Sequence, residues 1–298
     1  MDTKKIQALI SLLDDPDVEI FSTVEGELLK EQVEIVPELE KAWEVSADDV
    51  FQKRVENIIH SIQFENLKKE IREWKRSIDP DLLFAAYLVA KYQYPELSFS
   101  EISDGINAIR KDIWLELSGP LTSLENIRIV NYILYDKYKF SRNSKELLSP
   151  TNNFINDVLR TKKGNPVSLS IIYSAVCQSL GMPVYGVNLP KNFILVYLDE
   201  EMTNVAKEGC TSPLCSALFY INPINNGAII GKKEIEVFLK QQKLTFLDNY
   251  FTPCSNQDIV KRLLNNLRFS YESRGEDEKK KEVMELIMLI DEDKDQLV

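Results

Sequence analysis

GNPVSLSIIYSAVCQSLGMPVYGVNLPKNFILVY, residues 164–197, contains the change of texture that sets the fold class. VSLSIIYSAVCQSLG is apolar over a helix's length. PVYGVNL and FILVYL are β-branched and aromatic runs with turn residues between them, which is how strands read. SALFYINPI follows as a third such run, and NNG at 225–227 is a hairpin-type turn. A helix followed by consecutive strands argues for an α+β fold with an antiparallel sheet.

Upstream, the chain reads as helices. DPDLLFAAYLVAKYQYP is an apolar helix with Asp79 as cap and Pro80 at its first position, and SFSEISDGINAIRKDIWLEL opens on Ser98 or Ser100 with Glu101 in the first turn. SLENIRIVNYILYDKYKF continues the pattern as one helix. Further out, DDPDVEIFSTVEGELLK places Asp15 as cap before Pro16, and Ile35, Val36, Leu39 and Trp43 form one stripe. In SADDVFQKRVENIIHSIQFENLKKEIREWKR, Ser46 or Asp48 caps a long helix with Val50, Val55, Ile58, Ile62, Leu67, Ile71 and Trp74 inward. Downstream, KKEIEVFLKQQ is a late helix, and 256–273 with 276–290 form a helical hairpin broken at Arg274-Gly275. The expected segments are 1–77, an N-terminal helical part; 78–254, the core with its preceding helices; and 255–298, the hairpin.

Composition narrows the function. The net charge is −11 over 298 residues. Residues 1–77 hold 18 acids against 11 bases, 78–254 hold 18 against 17, and 255–298 hold 11 against 8. Such a surface repels phosphate backbones, so no nucleic-acid partner is expected. No apolar run reaches the length of a membrane span, and the N-terminus lacks the plan of a signal peptide, so no membrane and a cytoplasmic location are expected. The glycines form no GxGxxG or GxxxxGK[ST] loop, and Cys177, Cys210, Cys215 and Cys254 show no zinc-type pairing. Neither cofactor nor metal is expected.

SPTNNFINDVLRTKKGNPVSLSIIYSAVCQSLGMPVYGVNLPKNFILVY, followed by FYINPINNG, resembles the SirB-type branch of the transglutaminase-like superfamily. RLLNNLRFSYESRGEDEKKKEVMELIMLID is similar to that branch's tetratricopeptide-like tail, and LISLLDDPD resembles the opening of one HEAT-type repeat. The resemblance implies a papain-like core, in which a helix bearing the nucleophile at its N-terminus packs on an antiparallel sheet that supplies His and Asp. The chemistry needs a thiolate at the helix start, an imidazole to take its proton and a carboxylate to orient the imidazole.

Matched motif to motif, the nucleophile falls on Pro166, the histidine on Asn192 and the aspartate on Asn222. Asparagine exchanges hydrogen bonds but shuttles no proton near neutral pH. Ser168 and Ser170 lie near the helix start without a base, Cys177 is a small hydrophobe three turns in, and the single histidine, His60, is an exposed residue of the N-terminal helices. No catalytic residue is expected. If 166, 192 and 222 converge, Asn165, Pro166, Ser168, Asn192 and Asn222 line an uncharged polar cleft suited to a protein or peptide partner. The alternatives are a structural or regulatory scaffold with a vestigial cleft, and a hydrolase built on an unrecognised carboxylate pair.

Overall fold

The computed structural model of the protein describes residues 3–31, 33–199 and 217–292. Cys210 and Cys215 lie outside them. The chain divides into two compact units, residues 1–73 and 74–298.

The first unit is helical: α1 (Thr3–Ser11), α2 (Val18–Leu28), α3 (Val36–Val45) and most of α4 (Asp49–Arg76). Ile6, Ile10, Leu13, Leu28, Leu39, Val55 and Ile58 share one core. The Arg54 guanidinium donates to the carbonyls of Leu13 and Asp15 at 2.7 and 2.9 Å and lies 4.3 Å from the Phe21 ring centroid. Two expected core positions face out: Val50 is exposed and Phe51 is buried in its place, and Trp43 sits at the edge of its stripe. Asp48, not Ser46, caps α4, accepting from the Phe51 N–H.

The second unit begins with the last turn of α4 and continues through α5 (Leu82–Lys91), α6 (Phe99–Glu116) and α7 (Ser123–Asn131), which runs into a π-turn, Tyr132–Lys137. Next come β1 (Ser141–Arg142), α8 (Ile155–Thr161) and β2 (Lys163–Gly164), a short parallel pair of strands flanking a helix. Then α9 (Pro166–Ser179) leads into β3 (Val184–Val187), β4 (Ile194–Leu198), β5 (Ala217–Asn222) and β6 (Ala228–Ile230), an antiparallel sheet in chain order. α10 (Lys232–Gln241), α11 (Asn256–Arg274) and α12 (Asp277–Asp291) close the chain.

The fold class is α+β, as the change of texture at 164–197 implies. α9 is buried almost all round, from Val167 through Cys177, which is the pattern of a central helix. It packs on β3 and β4 and against α5, α6 and α11. The sheet's other face joins Val187, Ile194, Val196, Leu198 and Tyr220 to Ile235 and Leu239 of α10. Gly275 adopts φ +72 at the end of α11, the left-handed cap that the glycine signals. The expected caps of α2 and α5 are displaced by two residues: Asp17, not Asp15, accepts from the Glu19 N–H at 2.8 Å, and Asp81, not Asp79, accepts from the Phe84 N–H at 2.5 Å.

Candidate functional site

The start of α9 is locked before any ligand is considered. Asn165 caps it: Oδ1 accepts from the N–H groups of Val167 and Ser168 at 2.9 and 3.0 Å, and Nδ2 donates to Asn153 Oδ1 at 2.7 Å. Ser168 Oγ in turn accepts from the Asn165 N–H at 3.0 Å, closing a reciprocal capping box. Pro166 stands at the first helical position, where it has no N–H to leave unsatisfied. Ser170 Oγ donates to the Pro166 carbonyl at 2.7 Å.

β4 approaches from the other side through a tight turn. The Asn192 N–H donates to the Leu189 carbonyl at 3.1 Å, with Pro190 and Lys191 at the corner and Lys191 at φ +61. A positive φ at the third position of such a turn favours glycine, so Lys191 holds a strained conformation there. Asn192 Oδ1 accepts from the Phe193 N–H at 2.9 Å, which leaves its amide nitrogen without a protein partner among the described residues.

Between these elements is a cleft of about 220 Å³. Asn165, Pro166 and Asn192 line it together. Ser168 does not; it is buried behind the cleft with its hydroxyl committed to the capping box. Asn222 is not in the lining either. It ends β5 and forms a turn: its Oδ1 accepts from the Ile224 N–H at 3.3 Å, and its carbonyl accepts from the N–H groups of Asn225 and Gly227. That turn is tied to α7 and the π-turn. Tyr173 of α9 donates to Asn131 Oδ1 at 2.8 Å, Asn131 Nδ2 donates to the Gly227 carbonyl at 2.9 Å, and the Tyr135 hydroxyl donates to the Pro223 carbonyl at 2.9 Å.

The cleft is not uncharged. Arg142 of β1, Lys191 of the turn and Arg262 of α11 line it, and no Asp or Glu does among the described residues. The sequence reading missed the two arginines because they come from segments 24 residues before and 96 residues after Pro166, with no local pattern marking them. Lys191, inside LPKNF, was in plain view. Arg262 is half-buried, and desolvation holds its guanidinium below the ordinary value. At the rim Leu147, Leu148 and Phe269 are each about half exposed.

The remaining candidates are placed elsewhere. Cys177 is fully buried, and burial pushes its thiol well up; Cys254 is pushed up to about 12 by burial. Neither is in the ionised form that nucleophilic attack requires. His60 is exposed on α4 in the first unit, its ring stacked 6.2 Å from that of Phe64. No group of three or more His, Cys, Asp or Glu is disposed to hold a metal among the described residues. No helix among them is long and apolar enough to cross a membrane.

Several known proteins are similar to this chain in sequence. F-box only protein 21 of Mus musculus is 28% identical over 138 residues, 46% of this chain and 20% of that protein. A UPF0162 protein of Xylella fastidiosa is 24% identical over 200 residues, 64% of each chain, and one of Vibrio cholerae is 29% identical over 111 residues, 37% of this chain and 36% of the relative. The chain thus spans 64% or less of each of these relatives. No solved structure matches. The pattern of one family matches residues 100–265, from α6 to the middle of α11, a stretch that takes in the central helix, the sheet and the cleft; by that match, more than half its length, the chain belongs to the transglutaminase-like superfamily.

Proposed function

We propose that this chain is a catalytically degenerate transglutaminase-like module whose cleft holds a peptide segment of a partner protein. One observation carries the reading: Pro166 and Asn192, at the positions matched to nucleophile and base, line the same cleft, and neither can do the work of its counterpart. Nearby hydroxyls are committed as well. Ser170 donates to the Pro166 carbonyl and Ser270, in the cleft wall, donates to the Asn266 carbonyl at 2.9 Å. Among the described residues, the lining of this cleft offers no carboxylate pair for general acid and base work.

The test has two arms. Purified protein incubated with glutamine-containing peptides and an amine donor is expected to release no ammonia above the buffer rate. The same protein, immobilised and challenged with a synthetic random nonapeptide library, is expected to retain specific sequences. Turnover that disappears in Asn192→Ala would defeat the degenerate reading. A library recovered without any enriched sequence would defeat the binding reading.

A further inference from the structure

Resting on that reading, we propose that the group anchoring the bound peptide is a carboxylate next to an apolar side chain. Arg142, Lys191 and Arg262 receive the carboxylate, and the Leu147–Leu148–Phe269 rim receives the apolar neighbour.

The charge pattern is the first argument. The chain carries 47 acids and 36 bases, yet three cations and no acid line this one concavity among the described residues. Several cations elsewhere are paired with acids: Lys137 with Asp112, Lys261 with Asp291 and Lys280 with Glu272. Arg142, Lys191 and Arg262 make no ion pair among the described residues. Like charges converging on a cleft are mutually unfavourable, and an anion between them relieves the repulsion.

Arg262 is the strongest of the three. It is half-buried, a guanidinium stays charged, and its only hydrogen bond among the described residues is a long one, Nη1 to Asn188 Oδ1 at 3.4 Å. A guanidinium has five donors in a planar fork, and taking it partly out of water without acceptors is unfavourable. The fork matches a carboxylate in bidentate geometry. The unpartnered amide nitrogen of Asn192 adds a neutral donor at the same mouth.

The backbone of α9 is not the receptor. Pro166 has no N–H, and those of Val167 and Ser168 already go to Asn165. An anion here is therefore held by side chains, with the helix's positive end contributing only its field.

Size and rim select the ligand. A volume of about 220 Å³ takes one or two amino-acid side chains and excludes a polynucleotide, whose approach the net charge of −11 also opposes. Inorganic anions have no use for two leucines and a phenylalanine at the rim. A peptide presenting a carboxylate beside an apolar residue uses both features. That carboxylate can be a C-terminus or an Asp or Glu side chain.

The experiment separates these sources. The random nonapeptide library is made in two halves, one with free C-terminal carboxylates and one amidated, and panned on the wild-type chain and on Arg262→Gln and Arg142→Gln variants. Far-UV circular dichroism checks that each variant is folded, and Arg142, exposed on β1, keeps the test available if Arg262→Gln misfolds. Expected is retention of peptides with an apolar residue beside either a free C-terminus or an acid. Retention of the selected peptides should weaken at least about tenfold in each variant and fall with added salt. Enrichment confined to the free-acid half identifies the terminus, and enrichment of Asp or Glu in both halves identifies a side chain. Enriched peptides that lack acids and bind the amidated and free forms equally would overturn the carboxylate while leaving peptide binding intact. No enrichment in either half would overturn both.

Discussion

Gly227 shows how one residue can be visible in a sequence while its reason is not. Asn-Asn-Gly reads as a turn, and a turn forms there between β5 and β6. What the triplet does not reveal is Asn131, 96 residues earlier, packed against it and bonded to its carbonyl. Gly227 has φ +69, and a Cβ there would lie 1.9 Å from Asn131 Oδ1, an atom already held by the Tyr173 hydroxyl. Gly227→Ala must therefore both adopt a left-handed backbone and displace a partly buried relay. A loss of at least about 2 kcal/mol in urea unfolding is expected. An unchanged unfolding midpoint would mean the relay does not hold the turn. Asn222 teaches the converse. The motif marks it as a lost aspartate, whereas its contacts make it the residue that shapes this same turn.

At the scale of elements, periodicity was readable and junctions were not. α9 and the strands after it follow from composition alone, because a helix apolar on every side has to be central and β-branched runs suit a sheet. The helix at 123–140 divides, however, into α7 and a π-turn, and that shift brings Tyr135 to the Pro223 carbonyl. Nothing local announces it. The two Asp-Pro-Asp starts are more instructive, since the rule that proline suits the first helical position selects the first aspartate in both. In both the second aspartate caps, and in the earlier one Asp15 Oδ1 accepts the Asp17 N–H across the proline at 2.8 Å. A side-chain acceptor for a free helical N–H outweighs the placement of a residue that merely lacks one. Asp81→Ala should cost about 1 kcal/mol in thermal or urea unfolding, and Asp79→Ala less than about 0.5 kcal/mol. Equal losses, or the reverse order, would restore the proline rule.

Over the whole molecule, the cleft depends on parts far apart in the chain. α11 brings Arg262, and it is buried through Leu263, Leu264 and Leu267. α12 is fastened to α5 by the Tyr92 hydroxyl, which donates to Glu282 at 2.6 Å, and to the end of α4 by Lys75, which donates to the carbonyls of Leu289 and Glu292. This is why a motif search finds the site's outline but not its charge. The second unit also carries every tyrosine of the chain and all four cysteines, so alkali acts on the two units differently. Burial raises Tyr173 and Cys177 well above their ordinary values and Tyr220 to about 12, and burial together with the hydrogen bond to Asp157 raises Tyr94 to about 12. A group whose folded pKa is raised keeps its proton in the fold and loses it in the unfolded chain. The unfolded state then binds fewer protons, and stability falls as pH rises. The fall begins near the unfolded thiol value of about 9, steepens as tyrosine titrates near about 10, and continues toward about 12. Each fully buried group contributes at most about 1.4 kcal/mol per pH unit within that window. Urea midpoints should therefore drop between about pH 9 and about pH 11. Cys177→Val, which keeps the volume and removes the thiol, should show a shallower drop than the wild type. A wild-type midpoint independent of pH across that interval would contradict the assigned burial of these groups.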